Sequence, residues 1–175
     1  MTGLTLNIPT LETERMILRP NRIEDFEAYA TFYEGERSRH RGGPASRLQA
    51  WRYFTHEVGD WAIRGYGFLA MEEKATGQYL GQVGPYYPEG WVEPEIGWLL
   101  MDGFEGRGFA TEGALAARAY AYDTLGWTTA ISLIRAANTP SRRLAERLGA
   151  TLEGERDYNG IKAVIYRHPG PEALQ

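Results

Sequence analysis

The sequence predicts a mixed α/β single domain, and three observations carry that reading. Short apolar runs rich in β-branched and aromatic residues are set off by turn residues, as strands are. Between them lie segments whose apolar residues recur at helical spacing. One stretch, 94–135, then reads as strand, turn, helix and strand in succession, a crossover that places its two strands parallel. At 175 residues the chain is long enough for one domain with a substantial core.

In chain order, 14–20 (ERMILRP) reads as a first strand ended by Pro20. The segment 21–33 reads as a helix with Asn21 as N-cap and Ile23, Phe26 and Ala30 on one face. After the break RGGP at 41–44, 46–65 repeats the helical pattern, with Leu48, Trp51, Phe54 and Val58 on one face. Two strands follow at 66–73 and 79–87 around the turn KATG, and PEGW at 88–91 is a further turn. The run 94–101 reads as a buried strand entering a glycine-rich turn, and 111–125 as a helix with Leu115, Ala119 and Tyr122 on one face, stopped by Gly126. Then come a strand at 128–135 and a helix at 139–149, with Pro140 in its first turn and Gly149 at its end. A last strand at 162–168 pairs with part of 151–158, and the end of the chain reads as a frayed tail.

Composition removes several classes of function. The net charge is −4 with no basic stripe, which argues against a nucleic-acid partner. No apolar run approaches ~18 residues, so no membrane span is expected. The opening MTGLTLNIPT lacks the basic and apolar regions of a signal peptide. There is no cysteine, hence no disulfide, zinc–thiolate site or thiol nucleophile, and a reducing, cytoplasmic location is expected. His40, His56 and His168 are scattered without metal-ligand spacing, and no metal is expected. Arg37, Arg39 and Arg41 read as a solvated loop, and Trp51, Trp61 and Trp91 as packing residues.

The chemistry concentrates in MDGFEGRGFATEG, residues 101–113, where Gly103, Gly106 and Gly108 crowd one turn. Such a turn between strand and helix points N–H groups outward at a helix N-terminus and favours a phosphate or pyrophosphate. Gly103 and Gly108 have the Walker A spacing, but Phe109 and Ala110 stand where Lys and Ser/Thr are needed. A dinucleotide fingerprint begun at Gly106 would require glycine at Thr111.

The segment EGRGFAT, 105–111, after EIGWLL, 95–100, resembles the acyl-CoA-binding motif of the GNAT superfamily of N-acetyltransferases. That motif is Arg/Gln-x-x-Gly-x-Gly/Ala, met here by Gly108 and Ala110, with Glu105 in place of the usual first residue. LETERMILRP, EIGW and NTPSRRLAERLGA (138–150) extend the resemblance to the branch of ribosomal-protein N-terminal (alanine/serine) acetyltransferases, over roughly residues 10–168. Ala150 replaces the aromatic usual after the glycine of the last motif.

The resemblance implies a mostly antiparallel mixed sheet of about six to seven strands, helices on both faces and a splayed central strand pair. It implies acetyl-CoA as substrate and an amine acceptor as partner, either a protein N-terminus or a small molecule such as a polyamine, amino sugar or antibiotic. It places the cofactor against Trp98, Leu99 and Leu100, the backbone of Gly106, Arg107, Gly108, Phe109, Ala110 and Thr111, and Asn138 and Ser141. Asn138 serves equally as an N-cap, with Thr139 the competitor. A catalytically silent acyl-CoA-binding module is the rival reading, and the oligomeric state stays open, a homodimer included.

Transfer from a thioester to an amine needs a neutral amine, a stabilised oxyanion and a protonated leaving thiolate. Without cysteine no acetyl-cysteine intermediate can form, so direct attack in a ternary complex is expected. Glu95 is the first candidate for the base, with Glu93 in reserve on the same face of a regular strand. Ser141 is the donor that the resemblance assigns to the sulfur, with Tyr86 and Tyr87 as substitutes. Glu105 is expected to face solvent.

Overall fold

A computed structural model describes residues 6–158 and 160–174. The first five residues of the stretch read as lacking a signal peptide, and Gln175 of the C-terminal tail, lie outside them. The strands are β1 (Leu11–Glu12), β2 (Met16–Arg19), β3 (Leu69–Glu73), β4 (Tyr79–Tyr86), β5 (Glu95–Leu100), β6 (Ile131–Arg135), β7 (Thr151–Tyr158) and β8 (Ile161–Arg167). The helices are α1 (Phe26–Glu34), α2 (Arg47–Arg64), α3 (Phe109–Asp123) and α4 (Thr139–Arg147), with short 3-10 turns at Ile23–Asp25, Glu36–Arg41 and Pro171–Leu174. All eight strands form one sheet in the order β1-β2-β3-β4-β5-β6-β8-β7, slightly more than the six to seven expected. Two-residue β1 is too short to leave a periodic signal.

Every pairing is antiparallel except β5 with β6, the parallel pair expected of the 94–135 crossover. One face of the sheet carries α3, with Met16, Leu69, Leu80 and Ile96 packed beneath Phe109 and Ala114. The small residues Gly113, Ala114 and Ala117 let α3 approach closely, and a Cβ on Gly113 would lie 2.9 Å from the Met71 sulfur. On the other face α1 and α2 enclose Tyr29, Phe54, Leu99 and Met101.

Three helix assignments need correction. Asn21 is not the N-cap. Arg22 holds that position, its N–H donating to Asp25 at 2.8 Å, while Asn21 turns inward to Glu57 and Gln82. Helix α2 is capped by Ser46 with Gln49, and of the expected face only Phe54 is buried: its inner face is Ala50, Phe54, Glu57, Asp60 and Trp61. Leu48 is 61% exposed and Trp51 39%, because the helix turns its carboxyls inward, where the Tyr29 hydroxyl donates to Glu57 at 2.9 Å. Helix α3 starts at Phe109, two residues before Thr111, since Gly108 at φ +85° ends the turn as its N-cap. Its expected face was also displaced: Leu115 and Ala119 are exposed, and Ala110, Ala114, Ala117 and Ala121 are buried.

Candidate active site

The glycine turn is braced from outside. The Arg15 guanidinium donates to the Glu112 carboxylate at 2.7 Å and to the Arg107 carbonyl at 2.8 Å. The Thr13 hydroxyl and the Arg15 N–H add bonds of 2.6 and 2.8 Å to the same carboxylate. This clamp joins the segment before β2 to the N-terminus of α3. Charge-assisted bonds of this length hold a glycine-rich backbone in one shape and limit the entropy that glycine otherwise retains.

Beside the turn runs a cleft of about 1130 Å³. Trp98, Leu99 and Leu100 of β5, Gly106, Gly108, Ala110 and Thr111 of the turn, and Asn138 and Ser141 of α4 all line it. Arg107 and Phe109 do not present their side chains there. Arg107 donates to Glu73 at 2.8 Å and Phe109 is 2% exposed in the core, so only their backbone is on offer. Glu105 lies on the cleft lip rather than simply facing solvent. Its carboxylate accepts from the Gly103 N–H at 2.8 Å and pairs with Arg37. With that charge already matched, Glu105→Gln is expected to change CoA affinity by less than ~1 kcal/mol, as titration calorimetry would read.

The cleft runs to a gap in the sheet. Strands β5 and β6 share a single bridge, Glu95 with Ile131, supported by the Ile131 N–H donating to the Pro94 carbonyl at 2.8 Å. Past it the strands part. The Ser132 hydroxyl spans the opening by donating to the Ile96 carbonyl at 2.7 Å, and His168 Nε2 lies 3.0 Å from the Ser132 hydroxyl oxygen. Arg118, which donates to the Leu148 carbonyl, meets His168 Nδ1 at 3.3 Å. Because Ser132 donates onward and Arg118 can only donate, His168 is the neutral Nε2–H tautomer. Burial and the Arg118 charge push its pKa down to about 3, in keeping with that form.

A cavity of about 60 Å³ fills the gap and is lined by Glu95, Trp98, Asn138 and Ser141 among others. Side chains alternate across β5, so Glu95 and Trp98 face opposite sides of the sheet. Glu95 stands on the α1/α2 side, Ser141 on the α3/α4 side. The Trp91 indole donates to Glu95 at 2.6 Å and the Leu133 N–H at 3.3 Å. Burial pushes the Glu95 pKa up to about 7 against those bonds and the nearby Arg41 charge. Glu93 does not share this setting. Pro94 precedes the strand, and Glu93 is turned to Arg167 at 2.7 Å, which holds its carboxyl below the ordinary range.

Asn138 does serve as the α4 N-cap, its side chain accepting from the Ser141 N–H at 3.3 Å while it also lines the cleft. The Ser141 hydroxyl is therefore not used to cap its own helix. It accepts from the Trp98 indole at 3.3 Å, and among the described residues its proton has no acceptor. Tyr86 is wedged between Phe68 and Trp91, at ring distances of 5.5 and 5.1 Å, and burial pushes its pKa up to about 12. Among the described residues no cluster of His, Asp or Glu is disposed to hold a metal, and no helix is long and apolar enough to cross a membrane.

Sequence reading missed the inward turn of Arg41, the buried Glu57 and the Arg118–His168–Ser132 chain. The chain joins residues 36 to 50 positions apart, which no local pattern signals.

A family model for the acetyltransferase (GNAT) domain matches residues 15–151. A solved acetyltransferase from Agrobacterium tumefaciens is 38% identical, with a TM-score of 0.87 over 97% of this chain and 99% of that one. RimL, a ribosomal L7/L12 α-N-protein acetyltransferase solved with coenzyme A, shares the fold at 17% identity and a TM-score of 0.74, over 91% of this chain and 97% of that one. The curated Bacillus subtilis protein YkkB, of uncharacterised activity, is 34% identical over 102 residues, 54% of this chain and 59% of its own length.

Proposed function

The chain belongs to the GNAT acetyltransferase family, and from that premise we propose that it moves the acetyl group of acetyl-CoA to a primary amine by direct attack, with an α-amine, such as a protein N-terminus, favoured. One observation carries the reading: a single gap between β5 and β6 is lined by Glu95 from one side and Ser141 from the other. A thioester reaching the gap along the α3/α4 face would meet an amine arriving on the α1/α2 face.

The division of work follows from the groups. The cleft and the braced glycine turn fit a long anionic cofactor, with backbone N–H groups at the α3 N-terminus toward its pyrophosphate. Glu95 receives the proton of the incoming ammonium, directly or through a water. With a pKa of about 7 it is nearly matched to an α-amine of pKa ~7.7–8.0, a transfer costing roughly 1 kcal/mol. A lysine amine at ~10.4 would cost roughly 4–5 kcal/mol, which is why the α-amine is favoured. The amine nitrogen bonds to the carbonyl carbon and the carbon–sulfur bond breaks, the departing thiolate held by a hydrogen bond from the unengaged Ser141 hydroxyl, while the second proton that the nitrogen sheds goes to the thiolate or to solvent. A leaving thiol of pKa ~8.5 needs a hydrogen-bond donor and no strong acid.

Ser141→Ala is accordingly expected to lower kcat by ~10–1000-fold and to leave CoA affinity nearly unchanged, because the glycine turn carries most cofactor contacts. A parallel loss of CoA affinity would move Ser141 from catalysis to binding. The function itself is tested by offering acetyl-CoA with α-amine peptides, lysine, polyamines and amino sugars. The readouts are thiol release and product mass. Acetylated α-amines are expected, exclusive use of polyamines or amino sugars would contradict the preference, and no thiol release with any amine would leave a binding module.

A further inference from the structure

We propose that the amine acceptor carries a carboxylate close to its amine, received by Arg41 and Arg135 on the Glu95 side of the gap. The proposal rests on the gap being the acetyl-transfer site and narrows the acceptor it takes.

The arginines of the 36–41 turn part company in the structure. Arg37 pairs with Asp102 and Glu105 at the cleft lip. Arg41, the last residue of that turn, is drawn inward, its guanidinium 4.9 Å over the Phe68 ring. The tip of the Phe68 ring in turn meets β5 at Gly97, where a Cβ would stand 2.7 Å from its Cζ, so the absence of a side chain there makes room for the ring. Arg41 is thus fixed above β5 at the gap. Arg135 is the last residue of β6, on the same face as Ile131, which bridges Glu95. Arg41, Arg135, His40 and Glu95 all line the gap cavity.

Neither of these two gap-lining cations has a carboxylate partner: among the described residues no carboxylate oxygen lies within 4.0 Å of Arg41 or Arg135. Two other arginines, by contrast, are each bracketed by a pair of carboxylates: Asp25 and Glu72 around Arg19, Glu93 and Glu153 around Arg167. The buried carboxyl behind Arg41, Glu57, is engaged by Tyr29 at 2.9 Å and Asn21 at 3.4 Å, so it acts on Arg41 through its charge, beyond ion-pair distance. Burial, with Arg39 and Arg135 adding to it, holds His40 below its ordinary range, a sign of the positive field at this mouth. Such a field repels polyamines and protonated amino sugars and attracts a carboxylate, which a guanidinium binds through two parallel N–H bonds. Cofactor phosphates are met at the other end of β5, at the α3 N-terminus.

Two sources supply that chemistry, a free α-amino acid and a peptide led by Asp or Glu. The test compares free amino acids with their carboxamides, and Asp-led with Asn-led peptides, by kcat/KM for acetylation. It adds the affinity of the N-acetylated products for the enzyme–CoA complex by calorimetry. Carboxylate forms are expected to be favoured about tenfold or more, the scale of one charge-assisted hydrogen bond. Arg41→Gln and Arg135→Gln should each bring the ratio toward one, with Arg41→Lys retaining part of it. Arg135→Gln keeps the test decisive if Arg41→Gln does not fold. Equal use of acid and amide, preference for cationic amines, or an unchanged ratio in both Gln variants would overturn the proposal. Carboxylate-dependent binding without any thiol release would uphold the anion site and overturn acetyl transfer, whereas transfer without carboxylate preference would do the reverse.

Discussion

Glu95→Gln slows acetyl transfer by about 10²–10⁴-fold below the pKa of the acceptor amine, the usual range for loss of a general base. The deficit closes as the pH rises, because a deprotonated amine no longer needs the carboxylate. The wild type gains activity as Glu95 ionises at about 7, and that limb is absent in the variant, which follows only the acceptor's own ionisation. Stability moves the other way. The folded pKa of about 7 lies above the ordinary 4.5, so the stability Glu95 contributes is full below about 4.5 and lost as pH rises through 7. The shift amounts to about 3 kcal/mol, less about 1 kcal/mol because Gln can accept only one of the bonds from Trp91 and Leu133. Above neutrality Glu95→Gln therefore melts at or above the wild-type temperature. A variant that is slow at every pH and less stable at alkaline pH would mean that Glu95 supports the fold and carries no proton.

Gly108→Val abolishes CoA binding. Gly108 sits at φ +85°, a region that costs a β-branched residue roughly 1–3 kcal/mol, and it lines the cleft. A Cβ there would also lie 3.2 Å from the Arg15 guanidinium, which is tied to Glu112 and to the Arg107 carbonyl and has little freedom to retreat. The turn must then change shape, and the N–H groups of residues 106–111 lose their common direction. Circular dichroism establishes that the variant folds, and calorimetry reads the affinity. Unchanged CoA affinity in a folded Gly108→Val protein would remove the turn from the binding site.

Local pattern revealed the elements on which the site stands. The glycines at 103, 106 and 108 each take positive φ, and the run before them is the strand whose splay opens the gap. Ser141 and Asn138 came from the resemblance of the one short segment in which both lie. Pattern failed where tertiary packing inverted hydrophobicity. Periodicity put Leu48 and Trp51 inside α2, whereas the helix buries Glu57 because tyrosine and asparagine partners come from α1 and the segment before it. Glu93 followed the alternation of β5 on paper, but the strand begins after Pro94, and Arg167, 74 residues away, claims its carboxylate. The inward turn of Arg41 depends on Gly97 leaving room for Phe68, a contact between β5 and the residue before β3 that composition does not announce.

The central claim is that Glu95 and Ser141 act from opposite sides of one gap on a single ternary complex. Its most direct test is the pH dependence of kcat for the wild type, Glu95→Gln and Ser141→Ala, run side by side with one α-amine acceptor from below the Glu95 titration to well above the acceptor's pKa. High pH is expected to restore Glu95→Gln and to leave Ser141→Ala slow, because only the first deficit concerns the proton on the amine. Equal recovery of both variants, or of neither, would contradict that claim.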